Sequence, residues 1–520
     1  MILNIKSMKN WSTFFKKHHK WPSLVLTFFI LLFALSGIVM NHRETFSSLD
    51  VNRSYLGSEY QYSHWNKAAV KSALQIEGDT ALIYGNVGVW KTTDNFKSFE
   101  NFNQGFPEGI DNCKIEKLFY TTSGELFAGT LLGLYTHQND AWVKVDLPVS
   151  EKRVVDLLEV KGEFYVLTRS HLLKRNSSGF EIIELLPKAD YDGKISLFKT
   201  LWEVHSGEAF GILGKLFVDF IGLVFILLCF SGLIYFIYPK WIRSLKEKVK
   251  KGKGKSEKDI KNTVQRKATF LKFNLKWHNH LGYWLIVFLL LSTLTGMFLR
   301  PPLLISIVSA KVDKIPFTHL DDPNPWYDQL RRITYDKDLD RVLLASNEAI
   351  YYTDDFFETA PQSFSSQAPI SVMGVNVFEV IKPGQYLVGS FSGLFYWIPE
   401  QNLIFDFFTK KPHVPVKIMG PPISSHPVAG YLRDADGREF VFDYSLGVGN
   451  MTDATHFVSM PQKIQDAPIS LWNLCLEIHT GRIYQYLFGK FYILFIPLAG
   501  LTILWILITG LVLYLKRRKK

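Results

Sequence analysis

The chain has 520 residues and a formal net charge of +11; 47% of its residues are hydrophobic, 15% aromatic and 21% charged. This composition excludes a disordered or fibrous protein. It also argues against a single soluble enzyme, because the apolar residues are concentrated in four long runs. A positive net charge can indicate a nucleic-acid partner, so the position of the basic residues decides how the charge is interpreted.

Four apolar runs are long enough to cross a membrane: residues 21–40, 216–238, 281–299 and 491–515. Together they contain one charged residue, Asp219. About 20 helical residues span a hydrocarbon core of about 30 Å, whereas runs of about 10–14 residues are typical of buried core helices. We therefore predict four transmembrane helices. The first run is too long for a typical signal-peptide core and lacks a small-residue cleavage site, so we interpret it as a retained anchor.

The excess of basic over acidic residues lies in three segments, 1–20, 240–276 and 516–520. These segments hold 24 basic residues and three acidic ones, a net charge of +21, which leaves −10 for the rest of the chain. Because basic residues flank membrane helices on the cytoplasmic side, both termini are predicted to be cytoplasmic. The positive charge thus reports topology, and no nucleic-acid partner is predicted.

The predicted fold is a membrane protein with four transmembrane helices and two external β-rich domains. Its segments in chain order are a basic N-terminus (1–20), TM1 (21–41), a first β-rich domain (42–204), a helix with TM2 (205–239), a basic cytoplasmic linker (240–276), TM3 (277–299), a second β-rich domain (300–470), a helix with TM4 (471–515) and a basic tail (516–520).

A helix–domain–helix unit is present twice. TM1 and TM3 align on Gly37 and Gly296, each preceded by Ser or Thr, and His19 and His278 each lie 18 residues before the glycine. Small residues at these positions would let helix backbones approach closely. Duplication is a common way to build a pseudo-symmetric membrane site.

The segments that open TM2 and TM4 are also related. Residues 203–207 read EVHSG and residues 477–481 read EIHTG, which aligns His205 with His479. Each is followed by Gly-Lys and then by a second Ser-Gly or Thr-Gly pair, at 231–232 and 509–510. A recurring histidine in both halves is more informative than a single interfacial one.

The external segments contain short strands separated by glycine-containing turns. Gly85 and Gly129 in similar strands are 44 residues apart, and Ser346 and Gly389 are 43 apart. A period of about 40–50 residues is typical of propeller blades, but a β-sandwich fits almost as well. Each segment holds about three such units, so a propeller would need both segments together.

The histidines are the candidate cofactor ligands. His19 and His278 lie at the cytoplasmic ends of TM1 and TM3, and His205 and His479 precede TM2 and TM4 on the outer side. Neutral imidazoles on facing helices can ligate a haem iron from both sides. The absence of a C-x-x-C-H motif excludes covalent c-type haem, so haem b is predicted, in two copies. A zinc site would need three or four converging ligands, which a pair of histidines does not supply.

Three further histidines stay open as ligands or neighbours: His42, just past TM1, and His18 and His280, beside the inner pair. On a straight helix His205 would stand about 20 Å above the hydrocarbon. Either the glycine-containing connectors bend back to the interface, or an outer haem lies clear of the bilayer. His42 could replace one ligand or bridge an inner and an outer haem.

The E-[VI]-H-[ST]-G, H-N-H-L-G and Ser/Thr-Gly motifs together resemble the PepSY-associated transmembrane-helix family of bacterial inner-membrane proteins, which includes di-haem reductases of ferric siderophores. The resemblance implies that His19 and His278 are the inner ligands and His205 and His479 the outer ones. It also implies an inner-membrane location with periplasmic external domains. No PepSY module is recognisable in those domains, where β-rich repeats stand instead.

The first hypothesis is a haem b electron-transfer protein or reductase that passes electrons to a periplasmic ferric siderophore or other ferric chelate. No flavin or nicotinamide motif is present, so the electrons would come from a quinol or a partner reductase. The alternative is a non-enzymatic envelope module of an uptake system, in which the β domains bind a partner and the histidines are interfacial.

Overall fold

The computed structural model describes residues 5–189, 191–250, 257–371, 373–413, 424–448 and 457–518. Parts of the three predicted basic segments, at 1–4, 251–256 and 519–520, lie outside these described residues. The chain forms two compact units. The helical unit comprises Met1–Arg43, Lys194–Asp321 and Trp472–Lys520, and the β unit comprises Glu44–Gly193 and Asp322–Leu471.

The α-helices belong to the helical unit, apart from α7 and the first residue of α8. They are α1 (Ile5–Asn41), α2 (Leu197–Ser206), α3 (Gly211–Lys250), α4 (Glu257–Trp284), α5 (Ile286–Phe298), α6 (Leu303–Ile307), α7 (Gln462–Gln465), α8 (Leu471–His479), α9 (Gln485–Phe488) and α10 (Phe495–Arg518).

The strands are β1 (Asp50–Val51), β2 (Ser72–Glu77), β3 (Thr80–Gly85), β4 (Gly88–Thr92), β5 (Glu100–Asn101), β6 (Ile115–Tyr120), β7 (Leu126–Thr130), β8 (Gly133–Gln138), β9 (Ala141–Val145), β10 (Val154–Val160), β11 (Glu163–Thr168), β12 (Leu172–Asn176), β13 (Gly179–Ile183), β14 (Ile195–Ser196), β15 (Lys311–Val312), β16 (Leu330–Asp336), β17 (Arg341–Ser346), β18 (Ile350–Thr353), β19 (Gln362–Ser363), β20 (Val377–Lys382), β21 (Gln385–Ser390), β22 (Gly393–Ile398), β23 (Leu403–Asp406), β24 (Val428–Arg433), β25 (Glu439–Asp443) and β26 (Ile469–Ser470).

Six antiparallel sheets make up most of the β unit. In the described residues, sheets 1 to 5 each have four strands joined in sequence order: β2–β5, β6–β9, β10–β13, β16–β19 and β20–β23; sheet 6 has β24 and β25. The first strand of each sheet contacts the first strand of the next, and β24 contacts β2. Short sheets of this kind bury their faces only against a neighbour.

Apolar side chains fill every junction between consecutive sheets. Sheets 1 and 2 share a cluster that includes Tyr84 and Leu118, and sheets 3 and 4 share one that includes Leu167 and Leu344. The junction of sheet 6 with sheet 1 is closed by a cluster around Trp65. The other three junctions have clusters of the same kind. The two β-rich segments, assigned by the sequence to two domains, therefore form one unit, because each junction needs the apolar face of the next sheet.

A hydroxyl residue closes the turn between the second and third strands in four of the sheets. Thr130 Oγ1 accepts a hydrogen bond from Leu132 N at 3.1 Å, and Ser390 Oγ accepts one from Ser392 N at 3.0 Å. Thr168 and Ser346 are used in the same way. One such short hairpin occurs in each of these four-stranded sheets. Its recurrence explains the repeat of about 40–50 residues in the sequence.

The helical unit packs α3 against both α1 and α4, and α10 against both α1 and α5. Leu26, Val224, Leu289 and Ile503 are buried in its apolar core. Within the described residues, three segments are long and apolar enough to cross a membrane: Thr13–Asn41, Glu208–Glu247 and Arg482–Arg518. Their composition makes this a membrane protein.

The third predicted span is not one straight helix. Lys261–Trp284 and Ile286–Phe298 meet at a bend of 65°. Only the two helices together are long and apolar enough to cross a membrane. The sequence predicted continuous helix over 277–299. Gly282 lies in the last turn before the bend, where glycine weakens a helix.

Charged side chains lie on the first strands of the sheets. Arg332 Nη1 donates hydrogen bonds to the carbonyl oxygens of Val155 at 2.7 Å and Glu116 at 3.1 Å. The Glu116 carboxylate contacts Lys71 at 2.6 Å and Arg153 at 2.8 Å. Buried charges of this kind must be paired. Neighbouring first strands are thereby tied to each other.

Replacing Arg332 with Ala should lower the free energy of unfolding by about 3–5 kcal/mol, because it leaves buried acceptors without their donor. Arg341→Ala is the matched control: its partners Asp354 and Glu400 are more than half exposed, and exposed pairs contribute about 1 kcal/mol or less. Denaturant titration of the full chain in detergent, followed by tryptophan fluorescence, measures both. Equal losses in the two variants would contradict this account of the ionic ties.

Candidate functional site

Two histidines from different helices meet at one end of the helical unit. His19 lies on α1 and His278 on α4, and their ring centroids are 6.2 Å apart with an interplanar angle of 84°. His19 Nδ1 is 3.0 Å from the carbonyl oxygen of Ile506 and 3.3 Å from Oγ1 of Thr509, both on α10. His278 Nδ1 is 2.7 Å from Oγ of Ser231 on α3. We call His19 and His278 the inner pair.

A second pair has the same construction. His205 at the end of α2 and His479 at the end of α8 have ring centroids 6.1 Å apart and an interplanar angle of 58°. His205 Nδ1 is 3.1 Å from the carbonyl oxygen of Ser292 and 3.0 Å from Oγ1 of Thr295, both on α5. We call His205 and His479 the outer pair.

His479, the second member of the outer pair, contacts α1. Its Nδ1 is 3.0 Å from the carbonyl oxygen of Phe33 and 3.1 Å from Oγ of Ser36. Each of the four histidines therefore contacts a helix other than its own through Nδ1. The sequence predicted these four residues as ligands, and the structure brings them together in the two pairs that the resemblance implies.

The partners of Nδ1 decide which ring nitrogen carries the proton. The carbonyl oxygens of Ile506, Ser292 and Phe33 can only accept a hydrogen bond, so Nδ1 donates. The Ser231 hydroxyl donates to the carbonyl oxygen of Leu228 at 3.0 Å and is left to accept from His278. In a neutral imidazole this leaves Nε2 with the free lone pair. Metal-binding histidines are held in this way, with the other ring N–H tied to an oxygen.

In three of the four pairs, the glycine after the Ser or Thr makes room for the ring. A Cβ added to Gly296 would lie 2.8 Å from Cε1 of His205, and one on Gly510 would lie 3.0 Å from Cε1 of His19. At Gly37 the distance to His479 would be 3.2 Å. The Ser/Thr-Gly pairs, which the sequence suggested as points of helix approach, are thus seats for the histidine rings.

Two left-handed glycines bring His205 to its seat. Gly207 ends α2 with φ of 80°, and Gly211 begins α3 with φ of 62°. Between them the backbone turns so tightly that a Cβ on Gly207 would lie 2.2 Å from the carbonyl oxygen of Gly214. Of the two arrangements left open by the sequence, the connector bends back. Gly481 with φ of 74° has the same place after His479.

At the outer pair, burial, followed by the charge of His479, lowers the pKa of His205 to about 4. Burial also lowers the pKa of His479. Both imidazoles are therefore neutral near pH 7, which is the form that binds metals. Among the described residues, no group of three or more His, Cys, Asp or Glu side chains could hold a single metal ion.

The remaining candidate histidines are placed differently. His42 Nε2 is 2.6 Å from Oδ2 of Asp219, whose other oxygen accepts a hydrogen bond from Asn41 at 2.9 Å. His18 and His280 place Nδ1 against the carbonyl oxygen four residues earlier in their own helices. The nitrogen of His42 that would bind a metal is thus engaged by a carboxylate.

Two arginines near the outer pair were not singled out by the sequence. Arg300 follows α5 one turn after Gly296, and Arg482, three residues after His479, forms an ion pair with Glu477. Burial, followed by the charge of Arg482, lowers the pKa of Arg300. Two guanidinium groups that repel each other beside one carboxylate favour an additional anion.

The family model of the PepSY-associated TM region matches residues 2–238 and 248–517 of the chain. The chain belongs to this family. The match covers both halves of the duplication and confirms the resemblance seen in the histidine and Ser/Thr-Gly motifs. No curated protein matches the chain.

Solved structures with similar segments come from B. thetaiotaomicron. The extracellular domain of the hybrid two component system BT4673 is 9% identical, with a TM-score of 0.34 over 73% of this chain and 32% of its own. That of BT3049 is 10% identical, with a TM-score of 0.22 over 75% of this chain and 39% of its own. The chain spans about a third of the length of the first.

Gly296→Ala should destabilise the protein by about 1–3 kcal/mol, because the added methyl group overpacks the ring of His205. Gly232→Ala is the matched control, since its Cβ would lie 3.8 Å from His278, an ordinary contact distance. Helix propensity favours Ala over Gly by up to about 1 kcal/mol, so the control should be neutral or stabilised. Thermal unfolding in detergent separates the two. Equal melting temperatures would contradict the proposed seat.

Proposed function

We propose that the two histidine pairs bind two haem b groups and that the protein carries electrons across the bacterial inner membrane. The observation that carries the proposal is the repeated pairing: two partly buried pairs, each with Nδ1 fixed as donor and ring centroids 6.1–6.2 Å apart. Two metal–nitrogen bonds of about 2 Å in line, plus the two ring radii, require a spacing of about 6 Å.

The chain's own residues account for binding and orientation. The Nδ1 partners fix the plane and tautomer of each ring, and the glycine seats prevent it from shifting along the helix. Arg300 and Arg482 supply positive charge for carboxylates at the outer pair. Haem b supplies one-electron redox chemistry when bound. Covalent attachment would not be needed, because each haem would be held by two histidines from different helices.

The two pairs are separated along one helix. His19 is near the start of the membrane-spanning segment Thr13–Asn41 of α1, and the Ser36 seat of His479 is 17 residues further on. At about 1.5 Å per residue, the two sites lie about 25 Å apart along the axis, close to the thickness of the hydrocarbon core. Apolar residues fill the space between them. This spacing suits transfer from one face of the membrane to the other.

The topology and fold extend this proposal. With the bent pair counted as one span, the chain crosses the membrane four times with both termini in the cytoplasm, where the basic segments lie. The β unit is then periplasmic. The six sheets contact each other in sequence order, and the sixth contacts the first. This arrangement supports a six-bladed propeller. Propellers offer binding surfaces at their faces, which suits capture of an electron acceptor.

The acceptor proposed is a ferric siderophore or another ferric chelate, which places the protein in iron acquisition. This assignment rests on the family resemblance. The donor is a quinol or a partner reductase. The chain then acts as a membrane ferric reductase whose electrons leave from the outer pair.

The ligand assignment is tested by removing each pair separately from the full chain. His19→Ala with His278→Ala should lose one haem, and His205→Ala with His479→Ala should lose the other, because one pair supplies both axial ligands of one iron. Quantified haem and reduced-minus-oxidised spectra of the purified variants give the number of haems without any activity assay.

Neighbouring histidines provide the controls. His18→Ala with His280→Ala changes two histidines beside the inner pair and should keep both haems. His42→Ala should also keep both, since Asp219 engages its Nε2. Normal haem content after loss of the outer pair would overturn the proposal and favour a non-enzymatic envelope module.

A further inference from the structure

A basic pocket lies beside the inner pair, between α4 and α10. It has a volume of about 420 Å³ and is lined by Lys276, Asn279, His280, Tyr514, Arg517 and Arg518. This volume is within the range of about 300–1,000 Å³ that small-molecule sites occupy. None of the ligands assigned to haem lines it.

The pocket marks the boundary between apolar and basic sequence on both helices. On α4, Lys276, Asn279 and His280 are among the last polar residues before the apolar run 281–299. On α10, the apolar run 491–515 is followed directly by Lys516, Arg517 and Arg518. In a membrane-spanning helix this boundary lies at the level of the lipid headgroups.

Aromatic side chains join the two helices at the pocket. Tyr283 of α4 stacks on Tyr514 of α10 with ring centroids 4.4 Å apart. The Arg518 guanidinium lies 5.9 Å from the Tyr283 ring. Next to this stack, Trp284 is 61% exposed. Exposed tryptophan beside tyrosine is typical of the interfacial belt.

The chemistry of the lining selects an anion. Its three permanent cations have no carboxylate among the lining residues to neutralise them. The Asn279 amide and the Tyr514 hydroxyl can donate further hydrogen bonds. His280 Nδ1 is 2.7 Å from the carbonyl oxygen of Lys276 in its own helix.

We propose that this pocket binds the phosphate of an anionic phospholipid headgroup. Lys276 and Arg517 approach the phosphate from two helices, so a bound lipid would link α4 to α10 next to His278. Basic pockets between membrane helices are known sites for such headgroups. This inference does not depend on the assignment of haem.

The test is binding of fluorescent phosphatidylglycerol to the full-length protein in a nonionic detergent. Lys276→Gln with Arg517→Gln should weaken binding roughly 10- to 30-fold, at about a factor of five for each basic residue near the phosphate. Lys276→Arg with Arg517→Lys keeps the charge and should bind as the wild type does. Size-exclusion profiles and circular dichroism show whether each variant is folded.

A matched pair of substitutions removes the same charge elsewhere. Arg243 and Lys246 are exposed near the end of α3 and do not line the pocket, so Arg243→Gln with Lys246→Gln should leave binding unchanged. Equal weakening in both double variants would overturn the proposal in favour of diffuse attraction to basic segments.

Competition distinguishes the source of the ligand. Phosphatidylcholine, whose headgroup has no net charge, should compete at least tenfold less well than phosphatidylglycerol. Displacement by inorganic phosphate at the same concentration as the lipid would overturn the lipid assignment, because it would show that a free phosphate suffices. Displacement by a short-chain quinol at that concentration would overturn it as well.

Discussion

One hydrogen bond, used four times, organises the helical unit: a histidine Nδ1 donates to a carbonyl or hydroxyl oxygen on a neighbouring helix. The oxygen belongs to the turn that contains a Ser/Thr-Gly pair, and at Gly37, Gly296 and Gly510 the glycine gives the ring the space that a Cβ would take. Each bond joins two helices and fixes a tautomer at the same time. The links run from α1 to α10, from α4 to α3, from α2 to α5 and from α8 to α1.

Because these links are short and directional, the backbone around them is constrained. The outer histidines reach their seats only because glycines in left-handed conformations end α2 and precede α3. A residue with a Cβ is strained in that region of backbone space. The conformational demand therefore extends from the ring nitrogen to a turn several residues away. The same demand in the second half explains why Gly481 follows His479.

Much of this arrangement was predictable from the sequence. Run length and charge predict the membrane segments, and the E-[VI]-H-[ST]-G repeat identifies His205 and His479. The role of Ser36, Ser231, Thr295 and Thr509 was not recognised, although four Ser/Thr-Gly pairs beside four histidines were a usable signal. The bend at Leu285 has only a weak local signature, Gly282, because an isolated glycine is tolerated within many helices.

The organisation of the β unit was harder to predict for a different reason. Each strand is short, and its apolar residues say only that a face is buried, not which sheet covers it. The cluster around Trp65 joins sheet 1 to sheet 6, whose strands are more than 320 residues later in the chain. A single sequence carries little information about contacts of that range, so the two β-rich segments read as separate domains.

The most direct test is the haem content and absorption spectrum of the purified wild-type protein, oxidised and then reduced with dithionite. The account predicts two non-covalent haem b groups per chain, both six-coordinate and low-spin, with Soret and α bands that shift on reduction. A protein without a reducible Soret band, or with one haem per chain, would contradict it.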